Sequence, residues 1–196
     1  MELCQVCGLP VTQPQVVVSR GNPQAKLMVI GEAPGASEDE KGKPFVGRSG
    51  QILDRLLESV GLDPHADVYI TNVVKCRPPK NRRPTGNEIA LSRPWLQQQI
   101  ELVDPDVIAL AGSTAVEAIL GIKGGITTLR GKWQDWQGRL LMPLLHPAYL
   151  LRNPSKAEGA PVALTRGDLI EVCNRLNTIK QCSVVPVLDS ARSHKP

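Results

Sequence analysis

Residues 25–50 read AKLMVIGEAPGASEDEKGKPFVGRSG, and the change of character at Gly31 decides the fold. Leu27–Ile30 is a short, continuous apolar run that ends in a glycine turn, the pattern of a strand buried on both faces. Beyond Gly50 the sequence QILDRLLESVGL sets Ile52, Leu53, Leu56, Leu57 and Val60 at helical spacing, with Gly61 as the stop. A buried strand, a glycine-rich turn and an amphipathic helix make the first half of a βαβ unit. The turn itself is polar, with Glu32, Glu38 and Asp39, yet it holds Phe45, the single phenylalanine of the chain. A residue type that belongs in a core therefore sits where a ligand would be met.

The same alternation continues downstream. DVYITNVVKC is a second strand, and PPKNRRPTG a proline- and arginine-rich loop. NEIALSRPWLQQQIELV is a helix whose Pro94 predicts a kink or break. PDVIALAG is a third strand, and STAVEAILG a helix with Ser113 or Thr114 as its N-cap. RLLMPLLHP is a fourth strand, AYLLRNPS a loop or short helix, and residues 161–180 a closing helix. Strands alternating with helices predict an α/β fold: a three-layer α/β/α sandwich around a central four-stranded, mostly parallel sheet. One domain is expected over 1–180, with a loose tail over 181–196. In such folds ligands bind beyond the carboxyl ends of the strands. Here those ends are GEAPG, TNVVKC, LAGS and LLHP.

Composition narrows the function classes. A chain of 196 residues is long enough to bury a core. Aromatic residues make up only 3%, so that core must be aliphatic. The net charge of +4 is compatible with a nucleic-acid partner without requiring one. No apolar run approaches a membrane span, and the N-terminus lacks the features of a signal peptide, so a cytoplasmic location is expected. In that reducing setting the five cysteines point to metal or redox chemistry rather than disulfides. Neither a G-x-G-x-x-G nor a G-x-x-x-x-G-K-[ST] loop is present, which argues against a nucleotide cofactor.

Several strand-end residues suit chemistry on a planar polar ligand. A carboxylate from Glu32, Glu38 or Asp39 can orient water or face a developing cation. Phe45, between prolines and glycines, can present a ring for stacking. The Asn72 carboxamide can read a base edge, since it offers both an acceptor and donors. His146 ends the fourth strand. Lys75, Arg77, Lys80, Arg82 and Arg83 cluster in one loop, and Arg152 and Lys156 in another, as in loops that track phosphates. Cys4 and Cys7 form a C-x-x-C pair that can grip a metal or cluster, and Cys76 supplies a third thiolate. Cys173 and Cys182 have no ligand-like spacing.

Taken together, GEAPGASEDEKGKPFVGRSGQILDRLL, YITNVVKCRPPKNRRPT and LLHPAYLLR resemble the family 4 uracil-DNA glycosylases, the iron–sulfur enzymes of bacteria and archaea. The resemblance covers the chain from Cys4 to about Leu176. It implies a DNA repair hydrolase that acts on uracil-containing DNA, cleaves the N-glycosidic bond of uracil and leaves an abasic site; a monomer is the default expectation. It further implies that Phe45 stacks on the extruded base, freed from core duty, that Asn72 bonds its edge, and that Gly31 and Ala33 belong to the base pocket. His146 would donate to the uracil O2. Glu38 would assist the attacking water, with Asp39 as a rival, and Glu32 would line the pocket where a thymine methyl would have to fit. Leu150 or Leu151 would fill the gap left by the base, and Arg77, Arg82 and Arg152 would hold the DNA backbone.

The resemblance also implies a [4Fe–4S] cluster on four cysteines, matching Cys4, Cys7, Cys76 and a fourth position that is Ser92 here. Either Ser92 ligates iron through oxygen, or a three-cysteine cluster with a labile iron forms, or the cluster is lost. The alternative to an enzyme is a non-catalytic DNA- or nucleotide-binding relative with a degenerate cluster site.

Overall fold

The computed structural model describes residues 16–182. A two-residue edge strand, β1 (Arg20–Gly21), precedes the buried strand β2 (Leu27–Gly31). The acidic segment after β2 forms a short helix, α1 (Ala36–Lys41), and the expected amphipathic helix follows as α2 (Arg48–Glu58). Then come β3 (Val68–Asn72), a 3-10 turn at Pro79–Asn81, and α3 (Gly86–Val103). The second half comprises β4 (Val107–Ala111), α4 (Ser113–Leu120), α5 (Ile126–Leu129), β5 (Gln134–Trp136) and β6 (Arg139–Leu144), then α6 (Pro147–Arg152) and α7 (Pro161–Cys182). No helix among the described residues is long and apolar enough to cross a membrane.

The sheet has the order β1-β3-β2-β4-β6-β5. Its centre, β3-β2-β4-β6, is the parallel four-stranded sheet the sequence predicts. Antiparallel edges, β1 on β3 and β5 on β6, raise the number of strands to six. Both added strands are only two and three residues long, too short to show a period-2 pattern.

Side chains alternate across the central strands and build two cores. Leu27, Val29, Val68, Ile70, Val107, Ala109, Met142 and Leu144 face α2, α6 and α7. Met28, Ile30, Tyr69, Ile108, Leu110 and Leu141 face α3 and α4. Parallel strands covered on both faces read as unbroken apolar runs, which is why they were legible. Burial of each such side chain contributes roughly 1.5–3 kcal/mol.

Two local expectations fail for tertiary reasons. The helix around Pro94 is not broken; α3 runs through it for 18 residues. Ile89, Leu96, Ile100 and Val103 are buried along it, and that packing outweighs the roughly 3 kcal/mol cost of an interior proline. The N-cap of α4 is neither Ser113 nor Thr114 but Gly112, at φ +96°. A side chain there would press on His146, with a Cβ only 3.0 Å from the histidine Cβ. The cap is surrendered to let the histidine approach. The tail expected beyond α7 lies outside the described residues.

Candidate active site

The register of β2 and β3 pairs Gly31 with Asn72 at the carboxyl end of the sheet. A cleft of about 210 Å³ opens there, lined from four loops by Glu32, Ala33, Glu38, Phe45, Asn72 and His146, among others. It is smaller than the ~300–1,000 Å³ usual for drug-sized ligands and suits a single small ring.

Phe45 both lines this cleft and belongs to the buried core, at 5% exposure. The expectation that it is freed from core duty is therefore corrected. One side of the side chain packs inward while part of the ring is left as a wall. The ring lies directly on Gly31, where a Cβ would come within 2.6 Å of Phe45 Cε2 and 2.5 Å of Asn72 Oδ1. Only a residue without a side chain admits both groups. Phe45 adopts φ +53°, a left-handed conformation that a bulky residue takes only where its surroundings impose it.

Asn72 is 1% exposed, and its Oδ1 has no hydrogen-bond partner among the described residues. An unmet buried acceptor costs about 1–3 kcal/mol unless a ligand supplies the donor. Its backbone is held firmly: Lys75 Nζ donates to Asn72 O at 2.6 Å and to Thr71 Oγ1 at 2.8 Å. Lys75 is thus buried beneath the strand end, where desolvation pulls its pKa down to about 7. Its placement among phosphate-tracking residues is corrected.

His146 caps α6, and its Nδ1 accepts the backbone N–H of Ala148 at 3.1 Å. Burial lowers its pKa, Glu32 opposes that shift, and Arg152 adds to it. A neutral ring whose Nδ1 is an acceptor must carry its proton on Nε2, which makes Nε2–H a donor. The Phe45 and His146 rings stand 6.1 Å apart at 37°.

The carboxylates divide. Glu32 accepts a hydrogen bond from the Thr114 hydroxyl, so the helix start that lost a cap instead orients this acid. Glu38 is buried and accepts from Gly35 N at 3.1 Å and Gly47 N at 2.8 Å. Those two glycines are the N-caps of α1 and α2, so one carboxylate satisfies a backbone donor at each helix start while lining the cleft. Asp39 lies 3.9 Å from Arg77 Nη1 and does not line the cleft.

The basic loop is more internally committed than its composition suggests. Arg82 spends both ends of its guanidinium on Glu88, at 2.6 and 2.8 Å, and Arg83 binds Glu117 at 2.6 Å. The Arg82 pair, helped by the Thr85 cap, holds Glu88 down to a pKa of about 2. Arg77 donates from Nε to Asn81 Oδ1 at 2.6 Å. Asn81 lines the cleft, and its neighbour Lys80 shares its left-handed backbone. Because Arg77 Nε can only donate, the Asn81 amide nitrogen is the end left for a ligand. Sequence reasoning missed Asn81; the signal was an asparagine in a Pro-Pro-Lys-Asn turn, where a left-handed residue is wanted.

Leu150 is corrected as a DNA wedge. It is fully buried against the α2 side of the core, as the i, i+3 partner of Pro147 on α6. Leu151 is half-buried, whereas Tyr149 and Arg152 are exposed. Cys4 and Cys7 lie outside the described residues. Cys76 and Ser92 are both buried, and Cys76 packs against Val16. Among the described residues no group of three or more His, Cys, Asp or Glu side chains is arranged to hold a metal ion.

Comparison with known proteins accords with this geometry. Residues 18–170 match the family model described as the uracil DNA glycosylase superfamily. The chain is 47% identical over 154 residues to a type-4 uracil-DNA glycosylase of Thermotoga maritima, covering 78% of this chain and 80% of that one. It is 42% identical over 160 residues to the type-4 uracil-DNA glycosylase of Saccharolobus solfataricus, covering 77% and 74%. A type-5 uracil-DNA glycosylase of Pyrobaculum aerophilum is 33% identical over 171 residues, covering 79% and 72%.

Proposed function

The chain belongs to the uracil-DNA glycosylase superfamily, with the type-4 enzymes, and on that footing we propose that it excises uracil from DNA in repair, hydrolysing the N-glycosidic bond to release the base and leave an abasic site. The observation that carries the assignment of the base reader is the buried Asn72 Oδ1 in the wall of the cleft, without a hydrogen-bond partner among the described residues. Uracil presents N3–H to such an acceptor. Cytosine presents a lone pair at the same position and would leave two acceptors facing each other, a strong ground for rejection.

A base must leave the stack to reach this cleft. Phe45 then offers its ring as a stacking wall, with Gly31 and Ala33 beneath and beside it. Cleavage leaves negative charge on the base and positive charge on the sugar. His146 donates from Nε2 toward the uracil O2, where the negative charge grows, and does so as a neutral group. Glu32 and Glu38 set negative potential that favours the developing sugar cation and orient water; each carboxylate keeps lone pairs beyond those its hydrogen bonds occupy. Glu32, fixed by Thr114, also bounds the space a thymine methyl would need. Exposed Lys80 and Arg152 would meet the DNA backbone, with half-buried Leu151 beside Arg152 to fill the gap left by the base.

We also propose that Cys4, Cys7 and Cys76 hold an iron–sulfur cluster, with Ser92 as a weak oxygen ligand from which the fourth iron is readily lost. Val16 packs against Cys76 and Val17 N donates to Lys75 O at 2.8 Å, so a segment nine residues after Cys7 in sequence lies beside Cys76, which supports a shared site. The cluster would tie the N-terminal segment to the end of β3 and would take no part in bond cleavage. Iron per chain in protein purified without oxygen should be below four and should rise in Ser92→Cys; an iron-free, colourless Ser92→Cys protein would end this part of the reading.

Release of uracil from a U·G duplex tests the function. Wild type should release it, and Asn72→Ala should lose at least about a hundredfold. No release by a wild-type protein that still binds DNA would favour the non-catalytic alternative. Wild-type activity in Asn72→Ala would remove Asn72 as the base reader.

A further inference from the structure

Phe45 is held in its left-handed conformation from three sides, and one of them is unexpected. On the ring side it rests on Gly31. On the backbone side it meets α2 at Gly50, where a Cβ would lie 2.7 Å from Phe45 Cα. The third contact comes from the edge of the sheet. Arg20, on β1, donates from Nε to the Pro44 carbonyl at 2.9 Å and from Nη2 to Asp54 Oδ1 on α2. The Arg20 side chain is 7% exposed and that of Asp54 29%. Asp54 follows Gly50 by four residues, so the same face of α2 touches the Phe45 peptide and anchors the arginine.

A guanidinium is a rigid planar fork. With Nη2 fixed by Asp54, the direction of Nε–H is fixed as well, and it points at the carbonyl immediately before Phe45. β1 contributes only two residue pairs to the sheet, Arg20 with Ile70 and Gly21 with Tyr69, yet it sets the origin of this arm. The loop carrying Phe45 has no strand or helix of its own over residues 43–46. Its conformation has to be imposed from outside, and a disfavoured φ persists only where that is done.

We propose that Arg20 and Asp54 are positioning residues for excision: their ion pair grips the Pro44 carbonyl and thereby holds the Phe45 ring in the orientation that receives the extruded base. This rests on the reading of Phe45 as the stacking wall. The pair touches no substrate and acts only through the ring. A merely structural ion pair would tie β1 to α2 and would lower stability without regard to what residue 45 is.

A double-mutant cycle separates the two roles. The readout is the single-turnover rate of uracil release from a U·G duplex with enzyme in excess, beside the melting temperature. Arg20→Met should slow release by roughly tenfold or more, since misplacing a positioning group by 1 Å can cost about a hundredfold. Phe45→Ala should slow it too. The double variant should be no slower than Phe45→Ala within about twofold, because the ring through which Arg20 acts is gone. Arg20→Lys keeps a charge opposite Asp54 but not the fork, so it should restore melting temperature more than rate. Should Arg20→Met fail to fold, Arg20→Met with Asp54→Leu removes both partners and leaves no unpaired buried charge. Losses that multiply in the double variant, or a wild-type rate in Arg20→Met, would overturn the positioning role alone. A wild-type rate in Phe45→Ala would overturn the stacking wall and the positioning role with it.

Discussion

Gly31→Ala is a one-methyl perturbation aimed at the centre of the site. Gly31 does not adopt a left-handed φ, so alanine suits its backbone and the whole penalty is steric. The added methyl would overlap Phe45 Cζ, lie 2.6 Å from Cε2 and stand 2.5 Å from Asn72 Oδ1, where ordinary contact begins at 3.4 Å. Each neighbour must retreat by roughly 1 Å. Neither retreats easily: Phe45 is clamped at its backbone, and the Asn72 carbonyl is held by Lys75. Overpacking of this kind costs about 1–3 kcal/mol, or roughly 2–12 °C in melting temperature for a chain of this size. A 1 Å displacement of the stacking wall and the base reader should slow single-turnover uracil release by about a hundredfold, near 2.7 kcal/mol in the barrier. DNA binding, measured by anisotropy, should change far less. Gly167→Ala is the control: it lies within α7 with open space around its Cβ, and should gain up to about 1 kcal/mol without altering the rate. A Gly31→Ala enzyme that loses melting temperature but excises at the wild-type rate would refute the placement of catalysis in Phe45 and Asn72.

The His146 shift fixes the sign of a pH effect. Its folded pKa lies below the ordinary 6.5, so the unfolded chain binds the proton first, and this contribution to stability is complete above pH 6.5 and lost as pH falls through the folded value. Excision should share that acid limb, because protonation of Nδ1 breaks the bond from Ala148; a rate that rises on acidification would contradict the neutral Nε2–H donor. Glu88 titrates lower. Its folded pKa of about 2 against an ordinary 4.5 means that its contribution is present above pH 4.5 and disappears as pH falls toward 2. Glu88→Gln should cost about 1–2 kcal/mol at neutral pH, discounted for the half-exposed Arg82, and the gap to wild type should close in acid denaturation series toward pH 2. A gap that stays constant with pH would show the Arg82 pair to be idle.

The accurate part of the sequence reading rests on patterns that are local. Leu27–Ile30, Val107–Leu110 and Leu140–Leu144 are apolar runs because parallel strands are covered on both faces, and a run of that kind announces itself without knowledge of its neighbours. Helical spacing from Ile52 to Val60 does the same for α2. The location of the cleft followed from connectivity, since residues at the carboxyl ends of parallel strands converge whatever their spatial order. Hence Glu32, Glu38, Asn72 and His146 could be named together before their distances were known.

What the sequence could not determine is how each polar group spends its bonds, because those partners come from elsewhere in the chain. Arg82 reads as a phosphate contact until Glu88 is seen to take both ends of it. Lys75 reads as part of a basic run until β3 buries it beneath Asn72. Leu150 and Leu151 are interchangeable on paper, and only the phase of a six-residue helix against α2 sends the first into the core. Phe45 looked like a ligand platform released from packing, and the fold makes it both at once. By itself the sequence determined the α/β layers, the parallel sheet and the residue types at its carboxyl edge, since strand and helix periodicity are properties of neighbouring residues. Only the tertiary structure decided which of those residues face the cleft, which are consumed by internal pairs, and how Arg20, twenty-five residues before Phe45, reaches its loop across β1 and α2, because those outcomes depend on contacts between segments far apart in the chain.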